Sequence, residues 1–174
     1  MTSRTDAIVL IGPMGAGKTS VGRRVAKALD VTFYDSDKAI VRDHGPIEAI
    51  FAERGEAAFR AIERDAVATG LATAGVVSLG GGAVLDEQTR AALADHRVVL
   101  LTVEPRVVAS RIRGGTRPLL NDGDPMTRWN AIMRERGPLY RELADVVFDT
   151  SHGPLQEVVD AITAWARTST QEDA

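Results

Sequence analysis

Five short apolar runs, at 7–11, 32–34, 76–79, 98–103 and 146–148, punctuate a chain whose other apolar positions recur at helical spacing. Ala7-Ile8-Val9-Leu10-Ile11 shows no polar alternation, the pattern of a strand buried on both faces. Val21, Val25 and Leu29 repeat every four residues and predict a helix over 18–29. Similar patterns cover 47–54 and 56–69, which Gly55 separates, then 87–94, 105–112, 126–140 and 155–167. Strands alternating with helices predict right-handed βαβ crossovers and an α/β fold, a parallel sheet with helices on both faces. Two segments interrupt the alternation. The helical block 38–69 is too long for a simple crossover. The stretch 114–125 is rich in Gly, Pro, Asn and Asp, which favour turns and mobile loops, and reads as a lid. No internal repeat or interdomain linker is visible, so 174 residues are expected to form one domain.

Ligands of such sheets bind outside the carboxyl ends of the strands. Here those ends carry Gly12 onward, Asp35-Ser36-Asp37 and Gly80-Gly81-Gly82, which are expected to converge on one crevice. The first end is the most informative. Gly12-Pro13-Met14-Gly15-Ala16-Gly17-Lys18-Thr19 fits the phosphate-loop pattern G-x-x-x-x-G-K-[ST] at every fixed position. In a shuffled chain of average composition the pattern would arise in roughly 0.3% of cases. Glycines let successive N–H groups face one concavity, where they bond phosphate oxygens. The lysine neutralises charge farther along the phosphate chain, and the threonine hydroxyl can ligate Mg²⁺. Gly15, Ala16, Gly17, Lys18, Thr19 and Ser20 are therefore the candidate nucleotide-binding residues.

Charge sharpens this picture. The net charge of −3 argues against a general nucleic-acid binder. Yet 106–141 holds eight arginines and three acids, so a net of +5 suggests an anionic ligand there. Arg106 and Arg128 fit a solvated helix face better. The chain has no cysteine, hence no disulfide and no thiolate metal site. No signal-peptide core and no apolar run of membrane-spanning length is present, so a cytoplasmic location is expected, without membrane or nucleic-acid partners.

Asp35 is a candidate Mg²⁺ or water-shell ligand, since Mg²⁺ takes few carboxylates and keeps several waters. Asp37 faces an acceptor or, alternatively, caps a helix that begins near Lys38. The two carboxylates share a side only if the strand runs on to Asp37. Arg60, with Glu63 one turn on, is either an exposed ion pair or an arginine oriented to grip an anion bidentately. Gly80, Gly81 and Gly82 suggest close backbone approach to a ligand, or a tight turn. His44, His96 and His152 lack metal-ligand spacing and read as surface residues.

Six motifs in order resemble the shikimate kinases: the phosphate loop, Asp35-Ser36-Asp37, Phe59-Arg60-Ala61-Ile62-Glu63, Ser78-Leu79-Gly80-Gly81-Gly82-Ala83, Arg117-Pro118-Leu119-Leu120 and Arg136-Gly137-Pro138-Leu139-Tyr140. The resemblance covers about 7–166. It implies a three-layer fold like that of nucleoside monophosphate kinases, with five parallel strands and a mobile lid. It implies transfer of the γ-phosphate of ATP, with Mg²⁺, to the 3-hydroxyl of shikimate, a step toward chorismate and the aromatic amino acids. Asp37, Arg60, the glycine triplet and Arg136 would bind shikimate. Thr19, supported by Asp35, would ligate Mg²⁺. Lys18, Asp37 and Arg117 would be catalytic, Arg117 reaching the phosphates from the lid. Arg111 would flank the adenine, with Arg113 the alternative. Pro154 would lie near the base, in a stretch, Ser151-His152-Gly153-Pro154, without the basic residue often found there. A monomer is expected. Competing readings are another small-metabolite kinase, such as a gluconate kinase, and a nucleotide-dependent switch. The chain has neither the Asn-Lys-x-Asp nor the Asp-x-x-Gly motif of GTP switches.

Overall fold

In the computed structural model, residues 6–111 and 123–171 are described. Five parallel strands form one sheet in the order β2-β3-β1-β4-β5. They are β1 (Ile8–Ile11), β2 (Phe33–Asp35), β3 (Val76–Ser78), β4 (Arg97–Thr102) and β5 (Val146–Asp149). The helices are α1 (Lys18–Leu29), α2 (Ser36–His44), α3 (Ile47–Leu71), α4 (Glu87–Leu93), α5 (Pro105–Arg111), α6 (Pro125–Leu143) and α7 (Leu155–Gln171), with a 3-10 turn at Ala83–Leu85. All five predicted strands are present. Gly55 adopts φ 84° and ψ 169° and breaks α3 at the position where the pattern divides. Helix α6 runs past the predicted end at 140 and carries Pro138 in its interior.

Side chains of the central strands alternate between two cores, as the two-residue period of a strand requires. Ile8, Leu10, Val99 and Leu101 face α1 and α7, packing with Val21, Val25, Val159 and Ile162. Val9, Ile11, Val98 and Leu100 face the opposite layer, with Val67, Leu71 and Leu93. Burial on both faces explains why these strands read as unbroken apolar runs. A third, small cluster of Ile40, Ile50 and Phe59 joins α2 to α3.

Strand β1 pairs with β3 on one side and β4 on the other. The crossover from β1 runs toward β2 on one side of the sheet and the crossover from β3 runs to β4 on the other, which opens a crevice at the carboxyl ends of β1 and β3. Helix α6 crosses these ends. Its Trp129 packs in the α1/α7 core and its Tyr140 in the opposite one.

Candidate active site

The loop after β1 forms the floor of the crevice. Gly12 has φ 142°, and a Cβ there would sit 2.3 Å from the Leu101 carbonyl oxygen, so only glycine fits. The backbone turns through Gly15 and Gly17, both at positive φ, into α1. No side chain caps this helix. Its first amides and the positive end of its dipole therefore face an anion site. The Lys18 ammonium lies over the loop, donating to the carbonyls of Gly12 at 2.8 Å and Pro13 at 3.0 Å.

A cavity of about 260 Å³ opens over this loop, lined by Gly15, Gly17, Lys18, Thr19, Ser20 and Arg111 among others. Thr19 donates its hydroxyl to Asp35 Oδ2 at 2.7 Å. The other oxygen, Oδ1, accepts from Lys38 N at 3.1 Å, so Asp35 is the N-cap of α2. This corrects the alternative assignment of Asp37 as the cap. Because α2 begins at Ser36, the two carboxylates diverge: Asp35 turns to Thr19 and Asp37 to the glycine triplet.

Beside the first cavity lies a second, of about 340 Å³, lined by Asp37, Arg60, Glu63, Gly80, Gly81, Gly82 and Arg136, with Ile47, Phe51 and Phe59 as an apolar wall. Met14, Lys18 and Asp37 line both cavities. The triplet does form a turn, Ala83 N donating to Gly80 O at 3.0 Å, and it also admits close neighbours. A Cβ on Gly80 would lie 2.6 Å from Asp37 Oδ1, and one on Gly82 would lie 2.4 Å from Arg60 Nη2. Ser36, fully buried, fixes this turn by accepting from Gly80 N at 3.1 Å.

Arg60 donates to Glu63 Oε1 at 2.7 Å, and this pair is not the exposed one weighed from the sequence: the Glu63 side chain is 3% exposed. Burial pushes the Glu63 carboxyl up to about 7, against the lowering effect of the Arg60 guanidinium. Arg136 is also buried, at 4% exposure. The Nε atoms of Arg60 and Arg136 are both buried without a protein partner. Three cations, Lys18, Arg60 and Arg136, and three carboxylates, Asp37, Glu48 and Glu63, line this pocket, so its attraction for an anion lies in the two buried guanidiniums whose Nε atoms have no protein partner rather than in a net charge.

Arg111 lines the nucleotide cavity, but its guanidinium is bound to backbone, donating to Gly15 O at 2.9 Å and to Thr150 O at 2.7 Å. Pro154 is exposed ahead of α7 and lines neither cavity. Arg113, Arg117 and most of the expected lid, 114–122, lie outside the described residues. Arg106 is exposed and pairs with Glu104, and Arg128 is exposed, as a solvated face requires. His44 and His152 are exposed, whereas His96 is half-buried and its Nδ1 accepts from Ala7 N at 2.9 Å. His96 is thus a structural residue at the foot of the sheet rather than a surface one.

No role was read from the sequence for Thr150, Trp129 or Tyr140, although Tyr140 ends the sixth motif. The buried Thr150 hydroxyl lies 2.8 Å from Ala16 O, and Trp129 Nε1 donates to Met14 O at 2.9 Å, so both brace the phosphate loop. Tyr140 donates its hydroxyl to Gly81 O. Thr150 follows the carboxyl end of β5, a location that could have flagged it. The other two depend on pairings more than 50 residues apart, which carry no local signal.

The family model for shikimate kinase matches residues 14–167. The chain belongs to the shikimate kinase family. A shikimate kinase from Thermobifida fusca (strain YX) is 51% identical over 165 residues, covering 93% of this chain and 95% of its own. Among solved structures, shikimate kinase from Acinetobacter baumannii in complex with shikimate superposes with a TM-score of 0.89 at 34% identity, over 94% of both chains. A gluconokinase from Sinorhizobium meliloti 1021, at 22% identity and TM-score 0.62 over 97% of this chain and 95% of its own, shares the fold.

Proposed function

We propose that this shikimate kinase family member transfers the γ-phosphoryl group of ATP to the 3-hydroxyl of shikimate. The observation that carries the reading is the seam between the cavities. Lys18 and Asp37 line both, one cavity being built for phosphate and the other for a small anion with polar groups. A group that moves from one ligand to the other must pass between these two side chains.

Phosphoryl transfer asks a protein mainly for alignment and charge stabilisation. The amides of the loop and α1 hold the phosphates, and Lys18 neutralises charge on the group in flight. Asp37 orients the acceptor hydroxyl and takes its proton as the new oxygen–phosphorus bond forms and the bond to ADP breaks. Arg60 and Arg136 hold the acceptor's carboxylate, and Glu63 orients Arg60. Ile47, Phe51 and Phe59 cover the carbocycle.

The Thr19 hydroxyl and Asp35 carboxylate form a paired oxygen donor set at the edge of the nucleotide cavity. This donor set fits Mg²⁺, which binds through few protein oxygens together with phosphate and water. When bound there, Mg²⁺ neutralises phosphate charge and orients the chain of phosphates. Arg117 and closure of 114–125 are assigned on the sequence resemblance, as phosphate contact and water exclusion. No helix among the described residues is long and apolar enough to cross a membrane.

The test is ADP release with ATP and Mg²⁺ in the presence of shikimate, gluconate or nucleoside monophosphates, with the product identified by phosphorus NMR. Shikimate 3-phosphate formed in preference to every other product is the expected result. Faster turnover of gluconate would transfer the chain to the rival kinase reading. ADP release indifferent to all acceptors would favour the switch.

A further inference from the structure

One wall of the acceptor cavity is backbone. Gly81 and Gly82 line it, and among the described residues neither amide N–H donates to a protein acceptor. The Gly81 carbonyl points elsewhere, accepting a hydrogen bond from the hydroxyl of Tyr140, which is 1% exposed on α6. In a planar trans peptide the C=O of one residue and the N–H of the next are antiparallel. Fixing the Gly81 carbonyl therefore aims the Gly82 N–H away from Tyr140. Glycine flanks this peptide on both sides, so no Cβ resists its rotation. A flipped peptide would offer an anion a carbonyl oxygen in place of an amide hydrogen.

Arg136 sits one turn before Tyr140 on the same helix, buried, with its Nε lacking a protein partner. A Cβ on Gly81 would be 3.6 Å from the Tyr140 hydroxyl oxygen and 3.7 Å from Arg136 Nη1, so phenol, guanidinium and glycine peptide meet at one point. Burial pushes the Tyr140 phenol up to about 12, which keeps its proton in place for donation near neutrality.

We propose that Tyr140 is a positioning residue for the acceptor's carboxylate: it holds the Gly81–Gly82 peptide with its N–H toward the cavity and locks that peptide to the helix carrying Arg136. The inference rests on the reading of Arg60, Arg136 and the glycine triplet as the carboxylate site. Its consequence is that acceptor affinity depends on a hydroxyl that faces away from the acceptor.

Tyr140→Phe keeps the ring and removes the donor. The KM for shikimate should rise about tenfold, the size of one lost hydrogen bond, with kcat changed by less than about twofold. The Kd for ATP without acceptor should not move. A purely structural role would instead lower the melting temperature and the active fraction, hence kcat, at unchanged KM, and would overturn the proposal. Arg136→Lys is measured in parallel. If it weakens shikimate while Tyr140→Phe does not, the positioning role is wrong and the carboxylate site stands. If neither variant weakens shikimate, the carboxylate site itself is wrong, and the proposal falls with it. Should Tyr140→Phe fail to fold, amide NMR of the wild-type chain decides. The Gly82 N–H resonance must shift on adding shikimate, and an unmoved resonance overturns the proposal.

Discussion

The nucleotide side of the crevice draws most of its binding groups from one stretch, Met14–Ser20, with Asp35 and Arg111 added from elsewhere, whereas the acceptor side draws mainly on α2, α3, the turn after β3 and α6. The first is mostly backbone: amides, carbonyls and a helix end, with Lys18 and Thr19 added. The second is mostly side chains, held by pairings such as Arg60 with Glu63 and Tyr140 with Gly81. Backbone amides recognise phosphate whatever else surrounds them. A pocket of side chains is specific to one shape and charge pattern, so substrate choice resides there. The gluconokinase likeness at 22% identity illustrates the point, since a common fold leaves the acceptor undecided.

The largest effect should come from the nucleotide side. Lys18→Ala is expected to lower turnover by on the order of 10²–10³, as loss of a charge-stabilising group in a transition state does. Circular dichroism should show an unchanged fold, because the lysine hydrogen-bonds carbonyls of its own loop rather than a core element. Near-normal turnover would remove the phosphate loop from the chemistry.

Next is the seam. Asp37→Asn keeps size and loses charge and basicity, and should cost about 10²-fold in turnover with little change in ATP affinity. The cap of α2 is Asp35, so Asn at 37 loses a first-turn charge worth about 0.3–1 kcal/mol to the helix and leaves the cap in place. Activity near wild type would confine Asp37 to a structural role.

An effect on stability rather than turnover comes from inside the acceptor pocket. Burial raises the Glu63 carboxyl from 4.5 to about 7. A raised carboxyl contributes stability that is full below its unfolded value and is lost as pH climbs through the folded one. Glu63→Gln cannot titrate. Its unfolding free energy relative to wild type should therefore improve by on the order of 3 kcal/mol between pH 4.5 and pH 8. Denaturant melts of both proteins across that range check this, and parallel profiles would place the Glu63 titration elsewhere.

The same contrast explains what the sequence revealed. Gly12–Thr19 is contiguous and chemically distinctive, so its strand, loop and helix were all legible. The central strands β1, β3 and β4 were legible because burial on both faces leaves unbroken apolar runs, and the half-buried edge strands β2 and β5 by their short apolar stretches between helices. The role of Asp35 as both cap and Thr19 partner was not, since either Asp35 or Asp37 could cap and only the end of β2 decides between them. Arg111 could be assigned to the nucleotide side, yet its grip on Gly15 and Thr150 joins residues 96 and 39 positions apart. The glycine triplet announced a close approach without saying to what. The structure supplies Asp37 and Arg60 as the neighbours that a Cβ would displace.

The division of labour itself is tested most directly by Arg136→Lys, with shikimate and ATP titrated separately by calorimetry. Lysine keeps the charge and loses the planar fork that matches a carboxylate. The account predicts shikimate binding weakened by about thirtyfold, near 2 kcal/mol, and ATP binding without acceptor unchanged. Weakened ATP binding with intact shikimate affinity would contradict it and move Arg136 to the nucleotide side.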